Sequence, residues 1–369
     1  MKKAVIIVPT YNEADNIKNV VEGIFENTRP IKNWEFEIVV VDSNSPDGTA
    51  EAVKLIQKTN KKVHLLETAK EGLGKAYIRG FDYALDNLLP DLLFEMDADY
   101  SHDPKMLPLF VKKIEGGADF VIGSRYRKGG SIPKDWGIDR KIFSILGNLI
   151  IRLGFMKLRI TDWTSGYRAI KADIIHESER HVEKYTGYVF QIAILDFAIK
   201  NHANIAEVPI KFTDRKYGVS KINSGQYIRN ILLYVFTHSS FIKFVITGGI
   251  GFFLDFGFLY LLYRLIGWPI WLSQLLSAEA AILSNFTFNN FWSFSYKRQA
   301  GKKRFVKNLI KFHGVSAGSL IMQTTAITVY EHFYGDSYVF LFKVFMIFVV
   351  IIPYSYILYN RVIWKQKQK

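Results

Sequence analysis

The sequence predicts an α/β domain built on a mainly parallel sheet, followed by an all-α membrane domain. Three observations predict it. Over roughly residues 1–225, short Val/Ile-rich runs alternate with longer amphipathic segments, the pattern of strands and helices wound into one sheet. Past residue 240 come four apolar stretches, each close to the ~20 residues needed to cross a bilayer. Tryptophans and tyrosines (Trp268, Trp271, Trp292, Tyr296, Trp364) mark the ends of those stretches, as at a membrane–water interface.

In chain order the strand-like runs are "AVIIVP", "FEIVVVD", "VHLLE", "DLLFEMD" and "DFVIGS". The helix-like segments between them are "NIKNVVEGIFENT", "TAEAVKLIQKT", "LGKAYIRGFDYALDNL" and "MLPLFVKKIEGG". Such alternation places helices on both faces of the sheet, and ligands then bind beyond the carboxyl ends of the strands. The polar motifs sit there: Pro9 to Glu13 after the first strand, Asp42 to Thr49 after the second, Asp97 and Asp99 after a later one.

Composition narrows the class. The chain has 369 residues, with 48 Lys+Arg against 34 Asp+Glu, a formal net charge of +14. That surplus suits an anionic partner: nucleic acid, a phosphorylated substrate or an anionic membrane leaflet. At 49% hydrophobic and 15% aromatic residues, membrane contact is favoured over nucleic acid, because the aromatics concentrate in the apolar stretches instead of on a basic face. The absence of cysteine excludes disulfides, thiolate metal sites and thiol catalysis. The N-terminal run Ala4 to Val8 is shorter than the ~7–15 residues of a signal-peptide core, so it reads as a first strand of a domain that stays inside the cell.

The four stretches cover residues 241–266, 271–294, 309–333 and 338–363. The loop between the second and third, "YKRQAGKKRFVKN", and the tail "WKQKQK" are basic, which places both, and with them the N-terminal domain, on the cytoplasmic side. Residues 140–158 and 225–240 are apolar on one face with scattered Arg and Lys. Each reads either as a helix in the membrane surface or as a core helix, and the second, which leads into the first crossing, favours the surface. Asp255, Glu279 and Lys343 fall within the crossings at similar depths, so Lys343 is expected to neutralise at least one carboxylate, unless it snorkels outward. The asparagines of "SNFTFNNF" are expected to tie helices together.

In an extended chain residues i and i+2 face the same way, so Asp97 and Asp99 can converge on one hard cation, Mg²⁺ or Mn²⁺. Alone, that spacing is weak. The series "PTYNE", "VVVDSNSPDGT", "GLGKAYIRG", "DADYSHDP", "GSRYRKGG", "TSGYRA" and "DRKYGVSK", in that order, resembles the family 2 glycosyltransferases of GT-A fold. More closely it resembles the dolichol-phosphate (polyprenol-phosphate) mannose synthases. The remainder, through "FVITGGIGFFLDF" and "SNFTFNNFWSF", is similar to the GtrA-like membrane domain of some archaeal and bacterial members.

The resemblance implies roles. Pro9, Tyr11, Glu13, Val41, Asp42 and Ser43 would hold the donor nucleoside. Asp97, Ala98, Asp99 and Ser101 would surround the metal and diphosphate, and Arg125, Arg215 and Lys221 would bind phosphates. Arg140 would meet the lipid phosphate, and Asp99, Arg125 and Arg140 would carry the catalysis. Two departures stand out: relatives carry two or three acidic residues at Asp42-Ser43, and often Gln at Ser101. The implied reaction is inverting, metal-dependent transfer of mannose from GDP-mannose to polyprenyl or dolichyl phosphate. It would take place in an integral membrane protein, with a prokaryotic cell membrane favoured. UDP-glucose as donor is the nearest alternative; a lipid-carrier flippase or binding protein with an inactive transferase domain is the alternative of another class. His102 is expected to shape the metal loop through a hydrogen bond, ahead of a catalytic role.

Overall fold

The computed structural model describes residues 1–185, 187–213, 224–298, 301–335 and 338–364. The chain divides into two compact units, Met1–Leu153 with Lys157–Tyr234, and Gly154–Met156 with Val235–Lys369.

In the first unit the strands are β1 (Lys2–Thr10), β2 (Trp34–Asp42), β3 (Val63–Glu67), β4 (Leu92–Glu95), β5 (Phe120–Ser124), β6 (Arg168–Lys171) and β7 (Ile205–Pro209). The helices between them are α1 (Ala14–Thr28), α2 (Thr49–Thr59), α3 (Leu73–Asn87), α4 (Leu107–Glu115), α5 (Ile138–Gly154), α6 (Ala172–Val182) and α7 (Gly187–Lys200). α8 (Ser224–His238) follows. The described strands form one sheet in the order β3-β2-β1-β4-β6-β5-β7. β1 pairs in parallel with β2 and β4, so the chain reverses direction across the sheet between β1 and β4, and the crevice beyond their carboxyl ends is the switch point where such sheets bind ligands. Ala4 to Val8 and Ile38 to Val41 are fully buried, as continuous apolar runs in a doubly covered sheet require.

All five strands and four helices read from the sequence are present. The sequence reading missed β6, which has only four residues and runs antiparallel to both β4 and β5. Its register sets Arg168 opposite Glu95, and both side chains are fully buried. Gly80 brings α3 close to the sheet: a Cβ there would collide with Ile7 and stand 2.9 Å from Val41 Cγ2.

α5 is amphipathic, but its apolar side faces outward. Ile138, Ile142, Ile145, Leu146, Leu149 and Leu153 are exposed, whereas Gly147, Asn148 and Ile151 turn inward. α8 likewise exposes Leu232, Leu233 and Phe236.

The second unit is helical. α9 (Ser240–Leu259) continues as a π-helical turn to Leu265, and α10 (Ile270–Phe288) continues the same way to Ser293. Next come α11 (Lys302–Tyr334), α12 (Val339–Phe345) and α13 (Ile352–Leu358), with π-helical turns after each of the last two. The segments Ser240–Leu265 and Met346–Ile363 are long and apolar enough to cross a membrane. The third stretch starts at Lys302, not residue 309, so part of the basic loop is helical. Lys and Arg are good helix formers, and each residue added to an existing helix gains a hydrogen bond. Phe244, Phe286, Phe294, Phe312, Tyr356, Tyr359 and Trp364 form the unit's aromatic core, and Asn290 Oδ1 accepts from Trp364 Nε1 at 3.2 Å, a helix-tying role as expected. The membrane acids take separate partners. Ser277 Oγ donates to Asp255 at 2.6 Å, while Glu279 faces His313 Nε2 at 3.2 Å, a residue the sequence reading did not use. The side chain of Lys343 lies outside the described residues.

Between α3 and α6, burial and then the neighbouring Glu179 push the Asp82 carboxyl up to about 7. The folded protein therefore holds this proton more tightly than the unfolded chain, whose Asp titrates near ~3.9. Stability from this contact is greatest below that value and is lost as pH rises towards about 7. Asp82→Asn should raise the thermal unfolding temperature at pH 8 and change it much less at pH 5; an equal shift at both pH values would contradict the assignment.

Candidate active site

The carboxyl ends of β1 and β2 bring together the residues expected to hold a nucleoside. Their parallel register sets Pro9 beside Val41 and Thr10 beside Asp42. Asp42 is almost fully buried, and its Oδ1 accepts from Thr10 Oγ1 at 3.0 Å while Oδ2 accepts from Ser45 N at 2.9 Å. Its carboxylate thus braces the turn. Val41 packs inward against α3, so only its backbone faces this edge. Ser43 N donates to Thr10 O. Glu13 N accepts support from Thr49 Oγ1 at 3.0 Å, and Glu13 Oε2 accepts from Asn16 Nδ2 at 2.8 Å. The Tyr11 ring is partly exposed, with Lys70 Nζ 3.3 Å from its centroid.

Beyond β4 the structure corrects one premise. The strand ends at Glu95, so Asp97 and Asp99 lie in the bend that follows, not in extended chain, and Tyr100 turns it with φ 64°. Hydrogen bonds fix the bend instead of strand alternation. Tyr77 OH, on α3 one turn before Gly80, donates to Asp97 Oδ1 at 3.1 Å. Ser101 N donates to Asp99 Oδ1 at 3.0 Å. Asp97 N donates to His102 Nδ1 at 2.9 Å. A backbone N–H can only donate, so His102 Nδ1 carries no proton and the ring is the neutral Nε2–H tautomer. Burial also lowers its pKa, against the pull of Asp97 and Asp99, and the ring stacks on Tyr167 at 4.8 Å. His102 therefore shapes the loop, as expected.

The donor set fits a hard divalent cation. Asp97 is about one-third exposed and Asp99 7% exposed, and the buried Ser101 Oγ has no hydrogen-bond partner. Two carboxylates with a hydroxyl or water suffice for Mg²⁺ or Mn²⁺ where substrate phosphates complete the shell. No cluster of three His, Cys, Asp or Glu side chains occurs among the described residues, and this chemistry needs none.

Arg125, just past β5, is held by Asp162. Its Nε donates to Asp162 Oδ2 at 2.7 Å and its Nη2 to Asp162 Oδ1 and Thr164 Oγ1, both at 2.8 Å. Burial alone would push the Asp162 carboxyl up; Arg125 and the surrounding N–H donors outweigh it and hold it below the ordinary range. Arg140 sits in the first turn of α5, its Cζ 3.9 Å from the centroid of the Trp136 ring. Arg215 and Lys221 lie outside the described residues. Sequence reasoning missed Tyr77, Asp162 and Trp136. Asp162 stands two residues before "TSGYRA", inside a segment already quoted as a motif.

Residues 5–178 match the glycosyl transferase family 2 domain, and residues 243–364 match the GtrA/DPMS transmembrane domain. The chain is 33% identical over 320 residues to the dolichol-phosphate mannosyltransferase of Pyrococcus furiosus, covering 84% of this chain and 86% of that one. The chain belongs to the family 2 glycosyltransferases that include the polyprenol-phosphate mannose synthases. This glycosyltransferase is also 39% identical over 236 residues to the polyprenol monophosphomannose synthase of Mycolicibacterium smegmatis, covering 63% of this chain and 86% of that one. Among solved structures, glucosyl-3-phosphoglycerate synthase of Mycobacterium tuberculosis in complex with Mn²⁺ and UDP-glucose matches with TM-score 0.45 and 16% identity. That match covers 63% of this chain and 77% of that one, and is too distant to bear on substrate. The glycosyltransferase is a membrane protein through its GtrA-like domain.

Removing one member of a buried ion pair leaves the other charge uncompensated, at ~3–5 kcal/mol. Asp162→Ala in this glycosyltransferase should therefore lower unfolding stability by about that amount. A loss below ~1 kcal/mol, the scale of a surface ion pair, would show that the pair does not hold this loop.

Proposed function

We propose that the enzyme transfers mannose from GDP-mannose to a polyprenyl or dolichyl phosphate at the cytoplasmic face of a prokaryotic cell membrane, inverting the anomeric centre. The observation that carries this reading is the position of Arg140. It stands at the start of a helix whose exposed face is Ile138, Ile142, Ile145, Leu146, Leu149 and Leu153. A cation beside an outward apolar face matches an acceptor with a phosphate head and a hydrocarbon tail, and a helix of that kind lies in a membrane surface. α8, with Leu232, Leu233 and Phe236 exposed, is assigned to the same surface. The names of the two relatives support the sugar and the acceptor class. The basic start of α11 (Lys302, Lys303, Arg304, Lys307) supports the cytoplasmic assignment.

A polyprenyl phosphate oxygen attacks the anomeric carbon, and the bond from that carbon to the GDP oxygen breaks with its electron pair leaving on GDP. The acceptor is already anionic near neutral pH, since a phosphate monoester's second pKa is about 6, so no base is required of the protein. His102, neutral and tied to Asp97 N, is not needed as one. Asp97 and Asp99, with Ser101 beside them, would hold Mg²⁺ or Mn²⁺, which when bound neutralises charge on the leaving diphosphate. Arg125 is fixed before substrate arrives, so it needs no reorganisation as charge develops. Asp162 offsets its charge, and Arg140, with Arg215 and Lys221, supplies the further positive charge two phosphorylated substrates demand. Tyr11, Glu13, Asp42 and Ser43 line the nucleoside edge.

The test is sugar transfer in purified membranes, with GDP-mannose and UDP-glucose offered separately to polyprenyl phosphate. Transfer from GDP-mannose that requires Mg²⁺ or Mn²⁺, and falls by about 10²-fold or more in Asp99→Ala, is expected. Transfer from UDP-glucose alone would overturn the donor assignment, and none from either would overturn the reaction. Ser101→Ala should leave folding stability unchanged while raising the metal concentration for half-maximal rate several-fold; an unchanged metal requirement would remove Ser101 from the site.

A further inference from the structure

Arg125 and Arg140 are held in different ways. Carboxylate and hydroxyl oxygens grip Arg125, whereas Arg140 lies on an aromatic face. Trp136, 6% exposed, places its ring centroid 3.9 Å from Arg140 Cζ. Phe212 meets Trp136 edge-on at 5.8 Å and 68°. Phe212 also lies 5.6 Å from Arg125 Cζ and 6.0 Å from the His102 ring. The next residue, Thr213, donates to Tyr100 O at 3.0 Å. One aromatic pair thus touches the arginine on the apolar helix, the clamped arginine and the loop carrying Asp97 and Asp99.

We propose that Trp136, buttressed by Phe212, is a positioning residue that sets Arg140 for the acceptor phosphate and fixes its place relative to Arg125 and the Asp97–Asp99 loop. This rests on the reading of Arg140 as the acceptor contact. Stacking suits the role. It fixes the plane of a guanidinium without engaging its N–H donors, which point outward in that plane and match a phosphate bidentately. A carboxylate would fix the group equally well but would cancel the charge an anionic acceptor needs. Indole is the strongest of the aromatic faces for a cation. The Trp136 Nε1–H has no hydrogen-bond partner, so the residue is not held here for its polar atom. Phe212 lets the same platform sense the metal loop, so donor and acceptor arginines keep a common reference.

The full-length protein in detergent, with polyprenyl phosphate as acceptor and GDP with Mn²⁺ as the separate donor-side probe, tests this. Trp136→Leu should raise the acceptor KM by ~5–30-fold, the range of a cation–π contact, while kcat and GDP affinity stay within about twofold. Trp136→Phe, which keeps a ring and guards against misfolding of the leucine variant, should raise KM by a smaller factor. If Trp136 acts through Arg140, Trp136→Leu combined with Arg140→Ala should have a KM no higher than Arg140→Ala alone. An unchanged KM in Trp136→Leu, a KM increase that multiplies in the double variant, or GDP affinity falling in step would each overturn the inference. A wild-type protein that glycosylates no polyprenyl phosphate would overturn the functional reading, and this inference with it. Wild-type transfer with an unaltered Trp136→Leu KM would overturn the inference alone.

Discussion

The site depends on one buried ion pair, Arg125 with Asp162. The partners are 37 residues apart in sequence, and between them run the loop that carries Trp136 and the whole of α5. Asp162 accepts from Arg125 N, Nε and Nη2 and from Ser165 N, so a single carboxylate closes the segment onto the end of β5. Glu207, on β7, accepts from Thr161 N and Asp162 N and seats that segment against the sheet. Thr164 and Trp163 pass the constraint on to Asn148 of α5, through bonds of 3.2 and 2.7 Å. The helix that presents Arg140 and the apolar face is therefore anchored through the partner of the clamped arginine. A pair this buried gains little net stability over an apolar one, but breaking it is expensive. What it contributes is geometry.

Charge balance explains the rest of the crevice. Two carboxylates close in sequence repel, and Asp99 is nearly buried, so the loop must be stabilised by groups that tolerate anionic neighbours. Tyr77 OH and Ser101 N do so as neutral donors, and His102 does so by staying uncharged and accepting from Asp97 N. None of these competes with a divalent cation for the carboxylates. Deeper in, Glu95 and Arg168 face each other across β4 and β6 with Nε to Oε2 at 3.8 Å, so burial pushes the Glu95 carboxyl up to about 7 against the pull of Arg168.

Much of this was legible in the sequence, and the gaps have physical causes. The β1 to β5 runs are long and Val/Ile-rich because both faces are covered, and that signal survives without any alignment. β6 escaped because four residues, two of them charged, carry no periodicity; it is a strand only because its neighbours supply the ladder. The Asp97–Asp99 pair was found from its position after an apolar run, although the geometry that unites it is a bend held by residues from α3 and from the loop itself. Asp162 and Trp136 were missed because their roles come from what they touch across the fold, and a lone Asp or Trp in a loop resembles any other. The outward apolar side of α5 was half legible: its amphipathicity was plain, but which side faced the core was a tertiary fact. Asp255 and Glu279 were read as acids in need of partners, and Ser277 and His313 are their partners.

The central claim is that a divalent cation at Asp97 and Asp99 and a nucleoside diphosphate at the β1/β4 crevice bind as one unit. Calorimetric titration of GDP into the full-length protein, with Mn²⁺ and then with a chelator, tests this most directly. Because linkage is reciprocal, Mn²⁺ should tighten GDP by about tenfold or more, GDP should tighten Mn²⁺ by the same factor, and Asp97→Ala should abolish both effects. GDP affinity that is indifferent to Mn²⁺ would contradict the account.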